Sequence, residues 1–234
     1  MGQSFVQVEE CFDVNAKGTA NLLDVCPGAR RFVYLSTSEV YGFQEHVPFV
    51  ETMEPQPMSP YSITKYAGEL YARMRQRLAP ERVVVLRAFN TFGPGQSTKA
   101  VIPELILACL RGAPVRTTKG EQTREFNFVD DVVDAIVRAG RHEGPLLGPV
   151  NVAGGREIAI RDLVQRVATL TGATGRLEIG ALPYRPNEIW RMYADGSRAR
   201  RELGWAPTVG LDEALQRTVE WYRTYLAEPG ETDG

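Results

Sequence analysis

The sequence is poor in the residues that build disulfide frameworks, histidine-based sites and membrane spans. Its 234 residues include only three cysteines and two histidines, and the net charge is −2. An odd number of cysteines without a Cys-x-x-Cys pair argues against a disulfide framework or a zinc site. No apolar run approaches the length that crosses a bilayer, and a slightly acidic chain lacks the basic face that nucleic acid requires. These absences, and a start without a basic or apolar leader, predict a cytoplasmic protein that binds neither membrane nor nucleic acid.

The N-terminal part of the sequence also lacks a glycine-rich turn between a strand and a helix. Such a turn presents backbone amides at a helix N-terminus, where they bind the pyrophosphate of a dinucleotide. The glycines at Gly93 and Gly95, and at Gly154 and Gly155, occur in other contexts. The half of a dinucleotide site that binds phosphate is therefore not recognisable.

Apolar runs alternate with helical patterns along the chain, which predicts an α/β protein with a parallel sheet. The runs at 32–35 and 83–86 lack polar alternation, so we predict two strands that are covered on both faces. Helices are predicted at 4–25 and 61–77, and shorter strands and helices follow from about residue 116. A cleft between the two parts is the expected ligand site.

Four side chains form a candidate catalytic set. Tyr61 and Lys65 are four residues apart on a predicted helix, so they share one face. An ammonium near a phenol lowers the phenol pKa, which would make Tyr61 a base for an alcohol that loses hydride. Thr37 can hydrogen-bond the same alcohol. Glu39 is a candidate general base, because burying a carboxylate costs free energy and so is a poor choice for a purely structural role. The ordinary alternatives are an exposed Tyr–Lys pair, a strand-end cap and a solvated carboxylate.

Further blocks accompany these residues. They are Asn15-x-x-Gly18-Thr19, Arg87-x-x-Asn90-x-Phe92-Gly93-Pro94, Arg124-Glu125-Phe126-x-Phe128-Val129, Arg185-Pro186-Asn187-Glu188 and Leu203-Gly204-Trp205-x-Pro207. Together with the tyrosine and lysine they resemble the extended short-chain dehydrogenase/reductase family, in its NAD-dependent nucleotide-sugar epimerase/dehydratase branch. The resemblance implies a partial Rossmann-type parallel sheet without its N-terminal strands, and a smaller α/β substrate-binding lobe. We expect a truncated dinucleotide-binding and catalytic domain at 1–115, a mainly substrate-binding lobe at 116–228 and a disordered tail at 229–234.

The resemblance also implies roles for individual residues. The catalytic residues would be Thr37, Ser38, Glu39, Tyr61 and Lys65. The residues that bind NAD would be Asn15, Ser36, Tyr61, Lys65 and Pro94. The residues that bind the nucleotide sugar, a UDP-, dTDP- or GDP-linked hexose, would be Asn90, Val101, Arg124, Arg185 and Glu188. Surface ion pairing is the alternative for the arginines, and many glucose-type dehydratases carry Asp where this chain has Ser38.

An acidic residue at position 39 favours one branch of the family that the sequence resembles. Its 4-epimerases tend to carry a small residue there, whereas dehydratases and decarboxylases carry the acid. After Lys65 the sequence continues Tyr66-Ala67-Gly68-Glu69, as in dehydratases. We therefore expect an NAD-dependent 4,6-dehydratase that oxidises C4 and eliminates water across C5 and C6. The alternatives are a UDP-sugar 4-epimerase, a UDP-glucuronate decarboxylase and, in another class, a non-catalytic nucleotide-sugar-binding or partner subunit.

The missing N-terminal strands allow three explanations: a truncated reading of a longer enzyme, one piece of an assembly, or a non-catalytic descendant. In all three cases the strand at 32–35 would form an apolar edge of the sheet, which favours pairing with other protein. The helices at 4–25 and 61–77 resemble the pair that forms a dimer interface in the family. Their additional apolar positions are Phe5, Val8, Phe12, Leu22, Tyr66, Leu70 and Met74. We expect a homodimer or larger assembly that covers the edge strand.

We expect the chain by itself to bind NAD weakly, because its sequence offers no recognisable helix terminus for the pyrophosphate. Titration calorimetry should give a dissociation constant weaker than about 1 μM. The Lys65→Met variant, titrated in parallel, separates binding at the candidate site from binding elsewhere. Micromolar or tighter binding that this variant loses would contradict the expectation and would assign the pyrophosphate to another segment.

Overall fold

The computed structural model describes residues 3–26, 28–184 and 188–227. The α-helices are α1 (Val8–Cys11), α2 (Gly18–Val25), α3 (Pro60–Leu78), α4 (Val101–Leu110), α5 (Val129–Arg141), α6 (Ile160–Thr171), α7 (Ser197–Leu203) and α8 (Leu211–Ala227). The strands are β1 (Phe32–Thr37), β2 (Val83–Ala88), β3 (Thr91–Phe92), β4 (Val115–Thr117), β5 (Thr123–Glu125), β6 (Asn127–Phe128), β7 (Pro149–Val152), β8 (Glu157–Ala159), β9 (Leu177–Ile179) and β10 (Arg191–Met192). A π-helical segment, Phe12–Lys17, joins α1 to α2. Across these described ranges no helix has the length and hydropathy to cross a membrane.

The main sheet has the strand order β1–β2–β7, and both pairings are parallel. Side chains alternate between its faces along β2. Val83 and Val85 pack with Leu23 and Ala72, on the face that α2 and α3 cover. Val84 and Leu86 pack in a second cluster with residues of α5 and α7. The predicted α/β fold with a parallel sheet is confirmed, and its layers bring the carboxyl ends of β1 and β2 to one edge.

The first strand departs from the expectation that both of its faces are covered. β2 is buried along nearly its whole length, whereas Leu35 of β1 is 37% exposed. Among the described strands β1 pairs only with β2, so it lies at the edge of the sheet. An unbroken apolar run therefore did not guarantee burial on both faces at this position.

The second lobe has its own core, formed by α4, α6 and α8. Beside it β5 pairs with β8 and with β10, and β4 pairs with β9. The chain passes between the lobes more than once, because α4 lies in this core while the later α5 and β7 pack in the first lobe. The division at residue 115 stays a prediction, and the predicted tail at 229–234 lies outside the described residues.

Glu125, the last residue of β5, is a buried carboxylate that joins the two lobes. It is 1% exposed. Its Oε1 accepts hydrogen bonds from the backbone N–H groups of Gly154 and Gly155, which follow β7. Its Oε2 accepts from the N–H of Ala194, which follows β10, at 3.1 Å. The carboxylate therefore ties the end of the main sheet to the second lobe.

The stability of the protein should depend on the protonation of Glu125. Burial outweighs the three amide hydrogen bonds and raises the pKa of this carboxyl from 4.5 to about 6. Since the folded pKa lies above the ordinary value, its contribution to the free energy of unfolding is full below about pH 4.5. We expect about 2 kcal/mol to be lost as the pH rises through 6.

Urea denaturation of the wild type and of Glu125→Gln between pH 4.5 and 7 measures this effect. The difference between the two proteins should favour the wild type more at the acidic end of that range. Glu81→Gln, which changes an exposed carboxylate, is the control and should give a constant difference. A constant difference for Glu125→Gln as well would contradict the assignment.

Candidate active site

A cavity of about 790 Å³ opens at the edge where β1 and β2 end. Most of the residues predicted from the sequence line it. They are Asn15, Ser36, Thr37, Ser38, Glu39, Tyr61, Lys65, Asn90 and Val101. The fold thus brings together side chains from the helical N-terminal segment (residues 3–25), the end of β1, the first turns of α3 and the loops around β3.

A tight turn after β1 presents Glu39 to the cavity. The hydroxyl of Thr37 accepts a hydrogen bond from the N–H of Glu39 at 3.2 Å and caps the 3-10 turn Ser38–Tyr41. Gly42 ends this turn with φ of +61°, and a Cβ there would lie 1.7 Å from the carbonyl oxygen of Gln56. Only glycine fits this position, so the chain must turn here.

A capping box fixes the helix that carries Tyr61. The hydroxyl of Ser59 accepts from the N–H of Ser62 at 3.1 Å, and the hydroxyl of Ser62 accepts from the N–H of Ser59 at 2.9 Å. Pro60 occupies the first helical position, as its fixed φ favours. The Ser59 hydroxyl also lies 3.4 Å from Oε2 of Glu39. The start of α3 and the candidate base are therefore held together.

Burial determines the acidity of both candidate bases. It raises the pKa of the Tyr61 phenol, the negative charge of Glu39 raises it further, and a hydrogen bond with Thr37 lowers it. Burial likewise raises the pKa of the Glu39 carboxyl, while the hydrogen bond from Ser59 opposes this shift. Each anion makes the other harder to form because the two groups share one cavity.

The pKa of Tyr61 moves in the opposite direction to the sequence expectation, which relied on Lys65 to lower it. The Nζ of Lys65 lies 4.6 Å from the centre of the Tyr34 ring, and the Tyr34 hydroxyl donates to the Lys65 carbonyl oxygen at 2.8 Å. Burial lowers the pKa of this lysine, and the charge of Glu69 opposes the shift. Helical spacing alone did not establish where the ammonium lies.

Three further predicted residues of the cavity lining, Ser36, Ser38 and Asn15, also have partners within the protein. The hydroxyl of Ser36 donates to Oε2 of Glu69 at 2.6 Å. That of Ser38 lies 3.9 Å from the sulfur of Met192. The amide of Asn15, in the π-helical segment, donates to the hydroxyl of Thr64 at 3.1 Å. These contacts hold the strand end and the helices in place around the cavity.

The predicted substrate residues fall into two groups. Asn90 and Val101 line the cavity, and the Asn90 amide donates to the Glu125 carbonyl oxygen at 2.9 Å. Arg124 and Glu188 lie outside the lining and pair with each other, with 2.7 Å between Nη2 and Oε1. The predicted cofactor residue Pro94 also lies outside the lining.

The guanidinium of Arg124 is thus paired, but its partner is Glu188 rather than the neighbouring Glu125. Its Nη1 also donates to the carbonyl oxygen of Ile189 at 2.6 Å. Arg185, the remaining predicted substrate residue, lies outside the described residues. The structure therefore leaves the roles of these residues as predictions.

Comparison with known proteins places the chain in a family. The GDP-mannose 4,6-dehydratase family model matches residues 1–218. A UDP-glucose 4-epimerase from Mycolicibacterium smegmatis is 37% identical over 225 residues, which cover 90% of this chain and 68% of the relative. A dTDP-glucose 4,6-dehydratase from Streptomyces griseus is 35% identical over 217 residues, which cover 90% of this chain and 65% of the relative.

A solved structure of a Streptomyces venezuelae dTDP-glucose 4,6-dehydratase with bound NAD matches with a TM-score of 0.84 and 30% identity, over 95% of this chain and 69% of that one. This chain belongs to the NAD-dependent nucleotide-sugar epimerases and dehydratases. The family resemblance and the Rossmann-type fold predicted from the sequence are confirmed. The chain spans about two thirds of the length of these epimerase and dehydratase relatives.

The cavity offers groups that suit NAD, the cofactor of this family. Lys65 and Asn15 place an ammonium and an amide at its wall, and such donors bind ribose hydroxyls. The partly exposed Leu35 adds an apolar surface next to Thr37 that suits a nicotinamide ring. These residues fit the nicotinamide-ribose end of the cofactor.

Sequence reasoning missed several residues of the candidate site. Gln7, Glu10, Cys11, Thr91, Gln96 and Phe126 also line the cavity. Glu69 and Arg87 lie buried behind it, and each is at most 1% exposed. The sequence did place each of these two residues beside a predicted element, because Arg87 follows the apolar run 83–86 and Glu69 follows Lys65 by one helical turn. Both residues lay within quoted blocks, but nothing local indicated that they meet.

Proposed function

We propose that this chain carries the catalytic residues of a nucleotide-sugar 4,6-dehydratase. The observation that carries the proposal is the half-buried Glu39, which lines the same cavity as Tyr61 and Thr37. A 4-epimerase needs only to oxidise and reduce C4, whereas a dehydratase must also remove the proton at C5. A carboxylate beside the oxidation site supplies the base for that additional step.

The proposed chemistry assigns a task to each of these side chains. Tyr61 takes the proton of the C4 hydroxyl, and Thr37 binds the same oxygen. Bound NAD would supply the redox chemistry, as the acceptor of the hydride from C4 and later as its donor to C6. Once C4 is a ketone the C5–H bond is acidic, so Glu39 takes that proton and returns it to the C6 hydroxyl, which leaves as water. When C6 then receives the hydride, C5 takes a proton from solvent. The raised pKa of the Glu39 carboxyl suits a group that both accepts and donates a proton.

Asn90 and Val101, which the family resemblance assigns to the nucleotide-linked hexose, line the same cavity as the candidate catalytic residues and so support this class of substrate. We place the diphosphate near Asn90, with Arg124 and Arg185 as its candidate cationic partners. Arg124 would then exchange or share its bond to Glu188.

The free thiols of Cys11, Cys26 and Cys109 support a cytoplasmic location.

A 4-epimerase is the second candidate, because a UDP-glucose 4-epimerase is among the most similar relatives. The two activities differ in their products. An epimerase conserves the mass of the sugar, whereas a dehydratase removes one water and exchanges the C5 hydrogen with solvent. Both need Tyr61, but only the dehydratase needs Glu39.

The test is incubation of the chain in D₂O with excess NAD and UDP-glucose, dTDP-glucose, GDP-mannose or UDP-N-acetylglucosamine, followed by mass spectrometry and NMR. We expect loss of water and deuterium at C5 with one of these donors. Glu39→Gln should slow water loss by about 10²–10⁴-fold, since it removes a general base. Tyr61→Phe should abolish all conversion and serves as the reference for background.

A C4 epimer without water loss would overturn the role of Glu39 and favour the epimerase. Release of carbon dioxide from UDP-glucuronate, tested alongside, would favour the decarboxylase. Absence of conversion with every donor, combined with saturable binding of one of them, would favour the non-catalytic alternative.

We also propose a homodimer formed through the helical N-terminal segment and α3. Apolar side chains on these helices remain exposed: Phe5 60%, Phe12 46%, Leu22 54%, Leu70 48% and Met74 40%. Tyr66, which the sequence placed in the same group, instead packs partly buried near Tyr41 and Phe49. Covering the exposed side chains would remove a large apolar area from water.

Light scattering should therefore give about twice the mass of one chain at micromolar concentration. Leu70→Glu should shift the protein towards monomer, because it places a charge in the proposed interface. Val133→Glu changes another exposed apolar residue, on α5 (51% exposed), and should leave the mass unchanged. A monomeric wild type, or equal behaviour of the two variants, would contradict this interface.

A further inference from the structure

Behind the candidate active site a carboxylate and a guanidinium meet without access to solvent. Oε1 of Glu69 lies 2.6 Å from Nη2 of Arg87, and Oε2 lies 3.1 Å from Nε. The partly exposed Arg73 approaches Oε1 to 3.7 Å. The pair is bidentate, which fixes the relative orientation of both groups as well as their distance.

The same carboxylate reaches the end of β1. Its Oε2 accepts a hydrogen bond from the Ser36 hydroxyl at 2.6 Å, and Ser36 directly precedes Thr37. Glu69 also follows Lys65 and Tyr61 by four and eight residues on α3, so all three side chains lie on one side of the helix. One carboxylate thus links the strand end that carries Thr37 to the helix face that carries the Tyr–Lys pair.

Arg87 extends this connection to the turn that carries Glu39. Its guanidinium carbon lies 4.6 Å from the centre of the Tyr41 ring, and Tyr41 is the last residue of the 3-10 turn Ser38–Tyr41. The Tyr41 hydroxyl donates to Oδ1 of Asn151 at 2.6 Å, which ties the turn to β7. The guanidinium therefore contacts both the helix and the turn that bound the cavity.

We infer that Glu69, held by Arg87, is a positioning residue that aligns Thr37 and the Tyr61–Lys65 pair for proton transfer from the substrate alcohol. This inference rests on the proposed function for its chemistry. Its geometric content, the coupling of Glu69 to Lys65 and to the end of β1, can be measured without turnover.

A second effect of Glu69 acts through its charge. The Nζ of Lys65 lies 4.6 Å from the centre of the Tyr34 ring, and Glu69 follows Lys65 by one helical turn. Burial lowers the pKa of the Lys65 ammonium, and the charge of Glu69 opposes this shift. Removing that negative charge should lower the pKa of Lys65 further. A residue that served only to fill the core would not change this titration.

The test is NMR titration of the lysine ammonium groups in Glu69→Gln, which keeps the shape of the side chain and removes its charge. The chain has four lysines, Lys17, Lys65, Lys99 and Lys119, so the signal of Lys65 can be assigned by mutation. We expect its midpoint to fall by about half a pH unit or more. An unchanged midpoint in the folded variant would overturn the inference.

Gln76→Met is the matched control. Gln76 is buried on the same helix and donates to the carbonyl oxygens of Val83 and Leu146 at 2.8 and 2.7 Å. Its loss should destabilise the helix–sheet contact without a change of charge, so the Lys65 midpoint should stay at its wild-type value. A shift of similar size in this control would mean that any loosening of α3 moves the titration, which also contradicts the inference.

Ser36→Ala provides a test if Glu69→Gln fails to fold. It removes the hydrogen bond to the strand end and leaves the ion pair in place. We expect a displaced methyl resonance for Thr37 and an unchanged Lys65 midpoint, whereas an unmoved Thr37 methyl would contradict the link to β1. For Ser36→Ala, assayed with the substrate found in the activity test, kcat should fall by about tenfold and KM should change by less than about threefold. Failure to find any substrate would count against the proposed function and would leave the two NMR results to decide the inference.

Discussion

The buried contact between Glu69 and Arg87 determines how α3, β1 and β2 meet at the candidate active site. Both side chains are at most 1% exposed. Desolvation of such a pair costs several kcal/mol per ion, and apolar residues of similar volume often give equal or greater stability. A second salt-bridge partner, Arg73, adds little to that balance because it is partly exposed. We therefore attribute the pair to alignment rather than to stability: its bidentate geometry permits one arrangement of helix and strand, whereas an apolar contact would tolerate several.

A second buried carboxylate joins separate elements where the two lobes meet. Glu125 is buried like Glu69, but its hydrogen-bond partners are the backbone N–H groups of Gly154, Gly155 and Ala194 instead of a guanidinium. The carbonyl oxygen of Glu125 in turn accepts from the Asn90 amide, and the backbone N–H of Asn127 donates to the Asn90 carbonyl oxygen at 2.8 Å. The wall of the cavity that should face the nucleotide is therefore positioned by polar contacts between segments that are far apart in sequence. Close packing alone would hold the lobes together, but these directional bonds also set their register.

Local patterns predicted the long elements, while contacts between distant segments decided the rest. The helix predicted at 61–77 is observed as Pro60–Leu78, because its cap and its apolar spacing are local properties. Strands β3 and β10 have two residues each and exist only through their partners, so no periodicity could reveal them. In the candidate site the residue types and their convergence were predictable from motifs. The pairing of Arg124 with Glu188, 64 residues away, was not.

Burial and charge in the candidate site explain why alignment matters for its chemistry. Burial and the charge of Glu39 both disfavour the phenolate of Tyr61, so the phenol can act as a base only where positive charge is held close to it. Lys65 lines the same cavity, but burial also disfavours its ammonium. The charge of Glu69 opposes that loss of the proton, and its bonds to Arg87 and Ser36 hold it in place to do so. A carboxylate that never reaches the cavity thus favours the charged form of a lysine inside it. The proposed effect of Glu69 on the protonation of Lys65 would account for the cost of burying the ion pair.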